Sequence, residues 1–213
     1  MKTDELITLL ATGAGAVEPD ATMRRFATAL GWGAFSATLL MAILLGTRPD
    51  IDAAARLPMF WIKLAFPAAL GVGALVAAAR LSRPGARLGW APGALAAPVL
   101  AMWLFGGIVL LGAPSPERAD LVMGRTWEYC LFYVPMLSMP ALVATLWAMK
   151  GLAPTRPALA GAAAGLLAGT VAAMAYALHC PEMGAPFLGV WYVAGMLIPA
   201  AAGALLGPWV LRW

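Results

Sequence analysis

Apolar residues of this chain fall into six long runs separated by short polar segments. Each run has the length of about 20 predominantly apolar residues that one helical membrane crossing requires. Six such crossings and a short tail occupy the whole chain, so no separate soluble domain of ordinary size fits. The pattern predicts six transmembrane helices at Ala27–Gly46, Met59–Ala79, Pro92–Gly112, Thr126–Met149, Ala158–Leu178 and Phe187–Leu211.

Composition supports a membrane protein. Of the 213 residues, 62% are hydrophobic and 11% are charged, whereas soluble domains are nearer half apolar and a quarter charged. These values exclude a soluble enzyme, a disordered chain and a protein that binds nucleic acid directly. We therefore predict an all-α polytopic membrane protein, with a cytoplasmic N-terminal segment over residues 1–26 and a six-helix transmembrane domain over residues 27–213.

Basic residues indicate the orientation of the chain. With the N-terminus inside, nine of the fourteen Lys and Arg residues fall on the inner side and five on the outer side. Since cytoplasmic loops carry the excess of Lys and Arg, both termini are predicted to face the cytoplasm.

The N-terminal segment has the pattern of a short amphipathic helix. Its acidic residues fall in the first turn, which favours helix formation, and its large apolar residues share one face. Such a helix is suited to docking in a groove of a partner protein, and the alternative is a helix lying on the inner leaflet. The residues concerned are Asp4, Glu5, Leu6, Ile7, Leu9 and Leu10, with Arg24 and Arg25 following before the first span.

Two cysteines lie at outer ends of consecutive spans. Cys130 opens the fourth span and Cys180 closes the fifth, so antiparallel packing brings them to one end of the bundle. His179, Glu182 and Glu128 lie at the same end. Three interpretations remain open: a redox- or metal-reactive pair, a standing metal site, or inert packing of small apolar side chains.

A thiol pair with a neighbouring imidazole is chemically suited to soft and borderline metals. Zinc, cadmium and copper bind thiolate and imidazole ligands, which makes Cys130, Cys180 and His179 the candidate metal ligands. A disulfide instead requires Cα atoms roughly 4.4–6.8 Å apart, a distance that a sequence does not determine.

Lys63 is the one basic residue well inside a predicted span. A charge there is costly unless its side chain reaches the headgroups or is paired. We expect Lys63 to reach the outer headgroups, and the alternative is an ion pair with Glu128, Glu182 or Asp50.

The fifth predicted span contains glycines at a spacing of four, at Gly161, Gly165 and Gly169. This spacing places the three on one helix face without side chains. We therefore predict a close contact with another helix there.

Motifs of common catalytic sites are absent from the sequence, including the Walker loop, HExxH, GxSxG and CxxC. The chain is therefore not predicted to be an enzyme. A small-molecule transporter or permease is the alternative function, although few ionisable residues fall within the spans to support coupled transport. A membrane thiol oxidoreductase would need a bound quinone or haem.

A set of short motifs in order along the chain resembles one family. They are Met-Lys-Thr-Asp-Glu-Leu-Ile at the start, Arg24-Arg25, Arg48-Pro49-Asp50, Phe60-Trp61-Ile62-Lys63-Leu64-Ala65, Thr126-Trp127-Glu128-Tyr129-Cys130, Leu152-Ala153-Pro154-Thr155-Arg156, Tyr176-Ala177-Leu178-His179-Cys180-Pro181-Glu182 and Trp191-Tyr192. Together they resemble the NrsF family of negative regulators of an extracytoplasmic-function sigma factor.

The resemblance covers essentially the whole chain and implies a function. Members are six-span anti-sigma factors of the bacterial inner membrane that hold a sigma factor at the cytoplasmic face. They release it under oxidative or heavy-metal stress, and the family's paired cysteines map onto Cys130 and Cys180. No resident cofactor is implied beyond transient binding of a heavy metal. The sigma factor and the lipid bilayer are the expected partners.

Overall fold

In a computed structural model, the protein is described over residues 3–13 and 20–212. Within these residues, six helices are long and apolar enough to cross a membrane, which confirms the predicted helical membrane fold. The long helices are α2 (Ala21–Leu44), α4 (Pro58–Leu81), α5 (Ala91–Gly112), α7 (Trp127–Lys150), α8 (Pro157–Ala177) and a sixth built from α9 (Ala185–Phe187), a π-helical turn (Leu188–Tyr192) and α10 (Val193–Val210).

Short helices lie outside the six long ones. The N-terminal helix α1 spans Thr3–Gly13, where the sequence predicts an amphipathic helix, and α3 (Ile51–Ala54) lies in the predicted loop between the first two spans. A 3₁₀ turn (Ser115–Glu117) and α6 (Arg118–Met123) precede α7. Helix α2 starts at Ala21, before the predicted start of the first span, so Arg24 and Arg25 belong to its first turns.

Helix α8 forms the centre of the bundle, because small residues let its neighbours approach closely. A methyl group on Gly161 would collide with the carbonyl oxygen of Gly203 in α10, and one on Gly165 would collide with that of Pro199. One on Gly169 would lie 2.9 Å from the Cγ atom of Pro199. The predicted close contact is thereby confirmed, and its partner is α10.

The remaining long helices surround this pair. Helices α4 and α7 pack on α8, and α2 packs mainly on α7, where Gly33 lies against Ala141. Helix α5 is peripheral and packs on α4 and α9, with Gly106 against the backbone of Pro186. These contacts leave most of α5 exposed on the outside of the bundle.

The bundle has two chemically distinct ends. We call the end that holds residues 45–57, 113–126 and 178–184 the cysteine end, because hydrogen bonds join these segments near Cys180. The opposite end holds residues 82–90 and 151–156, together with the start of α2 and the end of α10. We call it the terminal end.

Candidate functional site at the cysteine end

Lys63 is completely buried at the cysteine end. Its Nζ atom donates hydrogen bonds to the backbone oxygen of Cys180 at 2.6 Å and to that of Glu182 at 2.8 Å. The ammonium group also lies 5.7 Å from the ring centroid of Tyr192. The prediction that Lys63 extends to the headgroups is therefore wrong, because the connector between α8 and α9 (residues 178–184) folds over it.

The predicted carboxylate partners of Lys63 are engaged elsewhere. Glu182 offers Lys63 its backbone oxygen, while its carboxylate Oε1 accepts a hydrogen bond from the backbone N–H of Arg125 at 2.8 Å. The Oδ1 and Oδ2 atoms of Asp50 each lie 2.7 Å from the guanidinium of Arg48. Carbonyl dipoles, rather than a counter-charge, thus solvate the buried ammonium.

Both cysteines are fully buried in one apolar cluster, and both are free thiols. The backbone N–H of Cys180 bonds to the oxygen of Tyr176 and so extends the last turn of α8, whereas Cys130 lies in the first turn of α7. Cys130 and Cys180, about fifty residues apart in sequence, thus belong to one buried cluster at the cysteine end.

Four tyrosines form a continuous row of rings from the surface to Lys63. Tyr129 and Tyr133 stack with centroids 5.8 Å apart, Tyr133 lies 6.1 Å from Tyr176, and Tyr176 lies 6.0 Å from Tyr192. The ring of His179 packs against this row, 6.4 Å from Tyr133 and 5.9 Å from Tyr176. Tyr176 and Tyr192 belong to the buried apolar cluster that holds both cysteines, and Tyr133 packs against it.

A cavity of about 620 Å³ opens at the cysteine end beside this row. Arg48 and Asp50 line one part of it, and Tyr133 lines another. His179 and Pro181 also line it, so the cavity borders both chain neighbours of Cys180. A small reagent in this cavity lies next to the connector that carries the thiol.

Arg48 fixes the first loop to the connector. Its backbone N–H donates to the oxygen of Leu178 at 3.2 Å, and its guanidinium holds the carboxylate of Asp50. This guanidinium holds the pKa of the Asp50 carboxyl below its usual range, and the same hydrogen bond raises the pKa of Arg48. The pair is therefore charged at neutral pH.

Two buried polar atoms of this site have no hydrogen-bond partner within the described residues, Arg48 Nη1 and the Tyr192 hydroxyl. Unpaired buried polar groups are rare and costly in native structures. Arg48 lines the cavity beside the connector, and Tyr192 lies in the buried cluster that holds Cys180.

The structure places the other predicted sensing residues, His179, Glu182 and Glu128, in different surroundings. His179 lies at the site with Nδ1 2.9 Å from the oxygen of Gly46, and Glu182 joins the connector to the start of α7. Glu128 is exposed. Among residues 3–13 and 20–212, no group of three or more His, Cys, Asp or Glu side chains is arranged to hold a metal ion. Capture of a metal by Cys130, Cys180 and His179 therefore stays a prediction and requires rearrangement.

Helix α1 carries the predicted partner-binding residues. Every side chain from Thr3 to Thr12 is exposed, including Leu9 at 67% and Leu10 at 64%. Arg25 lies at the terminal end, with its guanidinium against Gly151. The apolar face formed by Leu6, Ile7, Leu9 and Leu10 is thus available for a contact outside the bundle.

The contributors to the site that were not identified as functional from sequence include Arg48, Tyr133, Tyr176 and Tyr192. Arg48, Tyr176 and Tyr192 belong to the motifs that carry the family resemblance, so the signal was present without an assigned role. The π-helical turn was also not predicted. It ends at Tyr192 and lets the Nε1 atom of Trp191 donate to the oxygen of Val122 at 2.8 Å, and such turns are frequent at functional sites.

Comparison with known proteins identifies the family. Residues 10–213 match the family described as NrsF, negative regulator of sigma F. The chain belongs to the NrsF family. The "Probable anti-sigma-F factor NrsF" of Azospira oryzae is 57% identical over 213 residues, covering 100% of both chains.

A second NrsF relative is more distant. The "Anti-sigma-F factor NrsF" of Caulobacter vibrioides is 41% identical over 222 residues, again covering 100% of both chains. No solved structure matches this chain. Membership of the NrsF family thus rests on sequence over nearly the full length, and it agrees with the resemblance drawn from the ordered motifs.

Proposed function

We propose that this protein is an anti-sigma factor of the bacterial inner membrane that sequesters an extracytoplasmic-function sigma factor at its cytoplasmic face. The exposed apolar face of α1 is the observation that carries the sigma-binding part. An apolar helix face of Leu6, Ile7, Leu9 and Leu10 outside the bundle is suited to a groove in a soluble partner. Asp4, Glu5, Arg24 and Arg25 supply charges that flank this face.

The excess of Lys and Arg supports a cytoplasmic position for the terminal end. Both termini then face the cytoplasm, and the cysteine end faces the periplasm. An oxidising compartment around the cysteine end favours thiol oxidation. Binding of the sigma factor and sensing of stress are thereby assigned to opposite sides of the membrane.

Release of the sigma factor is proposed to begin at Cys130 and Cys180. Oxidation by a peroxide joins the two sulfurs, and the two electrons and two protons of the thiols reduce the peroxide to water. A heavy metal instead binds both thiolates and displaces their protons. We infer that either product moves the α8–α9 connector, which Lys63 ties to α4, and α4 runs to the terminal end. The ligand acts by favouring one helix arrangement over the other.

A pull-down of the full-length protein tests the sigma-binding part. Leu9→Asp together with Leu10→Asp places charges on the apolar face of α1, whereas Thr8→Asp places one on its opposite face. We expect a sigma factor, identified by mass spectrometry, to be recovered from unstressed host cells with the wild type and with Thr8→Asp, and to be lost with the double variant. Equal recovery with all three proteins would move the binding site away from α1.

The permease alternative receives less support from the structure. Two cavities alongside transmembrane helices measure about 330 and 300 Å³ and have apolar linings. A transport path for polar solutes requires polar groups near the midplane. Failure to recover a sigma factor with any of the three proteins would favour this alternative.

A further inference from the structure

A basic cleft lies at the terminal end. It measures about 430 Å³ and is bordered by Arg83 and Arg87 from the loop after α4, and by Thr155 and Arg156 from the loop before α8. All three arginines are exposed, and in the described part of the chain no acidic side chain pairs with them. The cleft therefore concentrates positive charge that the described part of the protein leaves uncompensated.

Arg80 and Gly85 position the loop that borders this cleft. The Nη1 atom of Arg80 donates to the oxygen of Leu88 at 2.8 Å, and its guanidinium lies 5.6 Å from the ring centroid of Trp90. Gly85 has a φ of +74°, a conformation that suits glycine, where the loop turns. Arg80 thus holds the loop in place, while Arg83 and Arg87 remain directed to the cleft.

An apolar groove of about 300 Å³ runs along the transmembrane helices next to the cleft. It forms because α5 packs on α4 and α9, while small side chains of α8 and α10 face the remaining gap. Its lining includes Ala77, Leu95, Ala162, Leu166 and Ala200. The groove lies at the level of membrane-spanning residues, with partly exposed Ala162 and Ala200 at its wall.

The cleft and the groove adjoin each other. Leu81 and Leu88 line both of them, so the basic cleft at the terminal end lies directly beside the apolar groove at the level of the membrane. A phospholipid has the matching arrangement, with an anionic phosphate at one end and apolar acyl chains at the other. Basic pockets between helices at the cytoplasmic side are suited to anionic lipid headgroups.

We propose that this combined site binds one anionic phospholipid of the inner leaflet. The lipid phosphate lies among Arg83, Arg87 and Arg156, and an acyl chain occupies the groove between α5 and the α8–α10 pair. The proposal is independent of the sigma-factor function.

Native mass spectrometry of the full-length protein in detergent tests this site with phosphatidylglycerol as the probe and phosphatidylcholine as the neutral comparison. We expect one phosphatidylglycerol per chain to bind in preference to phosphatidylcholine. Replacing Arg83, Arg87 and Arg156 by Gln should weaken binding about a hundredfold, because each basic residue near an anionic lipid contributes roughly fivefold. Equal binding of both lipids would overturn the proposal.

Two further variants test the contact with the lipid tail and the position of the charges. Ala162→Phe fills the groove and should also reduce binding of phosphatidylglycerol. Replacing Arg56, Arg118 and Arg125 by Gln removes the same charge at the cysteine end and should leave the binding of phosphatidylglycerol unchanged. If inorganic phosphate displaces the lipid and Ala162→Phe has no effect, the site takes a free anion and the proposal is wrong. Unchanged lipid binding with loss of sigma-factor recovery in the Arg83, Arg87 and Arg156 variant would reassign the cleft to a protein interface.

Discussion

The ammonium nitrogen of Lys63 lies 2.6 Å from the carbonyl oxygen of Cys180, in a position from which solvent is excluded. An ammonium ion inside a membrane protein is costly unless its donors are satisfied. Lys63 satisfies two of its three donors with consecutive parts of one connector, at Cys180 and Glu182. The side chain therefore ties the segment that carries Cys180 to α4.

Replacing Lys63 by Met tests this tie, because Met keeps the length of the side chain but removes the donors. Unsatisfied buried carbonyl oxygens cost about 1–3 kcal/mol each, so the connector should open at least about tenfold more often. Alkylation of Cys180 by N-ethylmaleimide, followed by mass spectrometry, should accelerate accordingly.

Lys150→Met is the matched control, since Lys150 is exposed at the end of α7. In the Lys150→Met variant, Cys180 should react with N-ethylmaleimide at the wild-type rate. If Lys63→Met also reacts at that rate, then the two hydrogen bonds do not restrain the connector.

Alanine substitutions should separate the packed glycines of α8 from glycines of α2 and α5 that have open space beside them. Gly161→Ala and Gly165→Ala place a methyl group against backbone of α10, and such overpacking costs about 1–3 kcal/mol. Gly31 and Gly107 have open space at the corresponding position, so alanine there should stabilise by about 0.5–1 kcal/mol. Thermal unfolding in one detergent compares the four variants, and equal behaviour of both pairs would contradict the close α8–α10 contact.

The ion pair of Arg48 and Asp50 should make stability depend on pH. Since Arg48 lowers the pKa of Asp50 in the folded state, the pair contributes fully above the ordinary aspartate value of about 4. Its contribution is lost as the pH falls through the lowered folded-state pKa. The melting temperature of the wild type should therefore exceed that of Asp50→Asn at pH 7, and the two should converge under acid conditions.

The exposed Asp52 in the same loop provides the comparison for this pH experiment. Asp52→Asn should follow the wild type over the whole range. A constant difference between the wild type and Asp50→Asn down to pH 3 would show that the carboxylate charge is not what stabilises the loop.

Features governed by local pattern were predictable from the sequence. Hydropathy predicts the six spans because each helix must satisfy its own backbone within the membrane, and the spacing of Gly161, Gly165 and Gly169 predicts a close contact. The amphipathic helix α1 is likewise predictable from its own sequence, without knowledge of tertiary contacts.

The chemistry around the thiols depended on contacts between distant parts of the chain. The partners of Lys63 lie 117 and 119 residues away. They are backbone oxygens, which every residue type has, so the sequence does not reveal them. The same holds for the approach of Tyr192, since the π-helical turn that places it has no strong sequence signal. The sequence therefore predicts that both cysteines lie at one end of the bundle, but it does not predict the hydrogen bonds there.

The most direct test of the proposed function is release of the sigma factor from the purified complex in lipid nanodiscs. Before treatment, the wild type, Cys130→Ser and Cys180→Ser should hold equal amounts of sigma factor, which also verifies folding. After addition of hydrogen peroxide or Cd²⁺, the wild type should release the sigma factor and both variants should retain it. Release from both variants to the wild-type extent would contradict sensing by the cysteine pair.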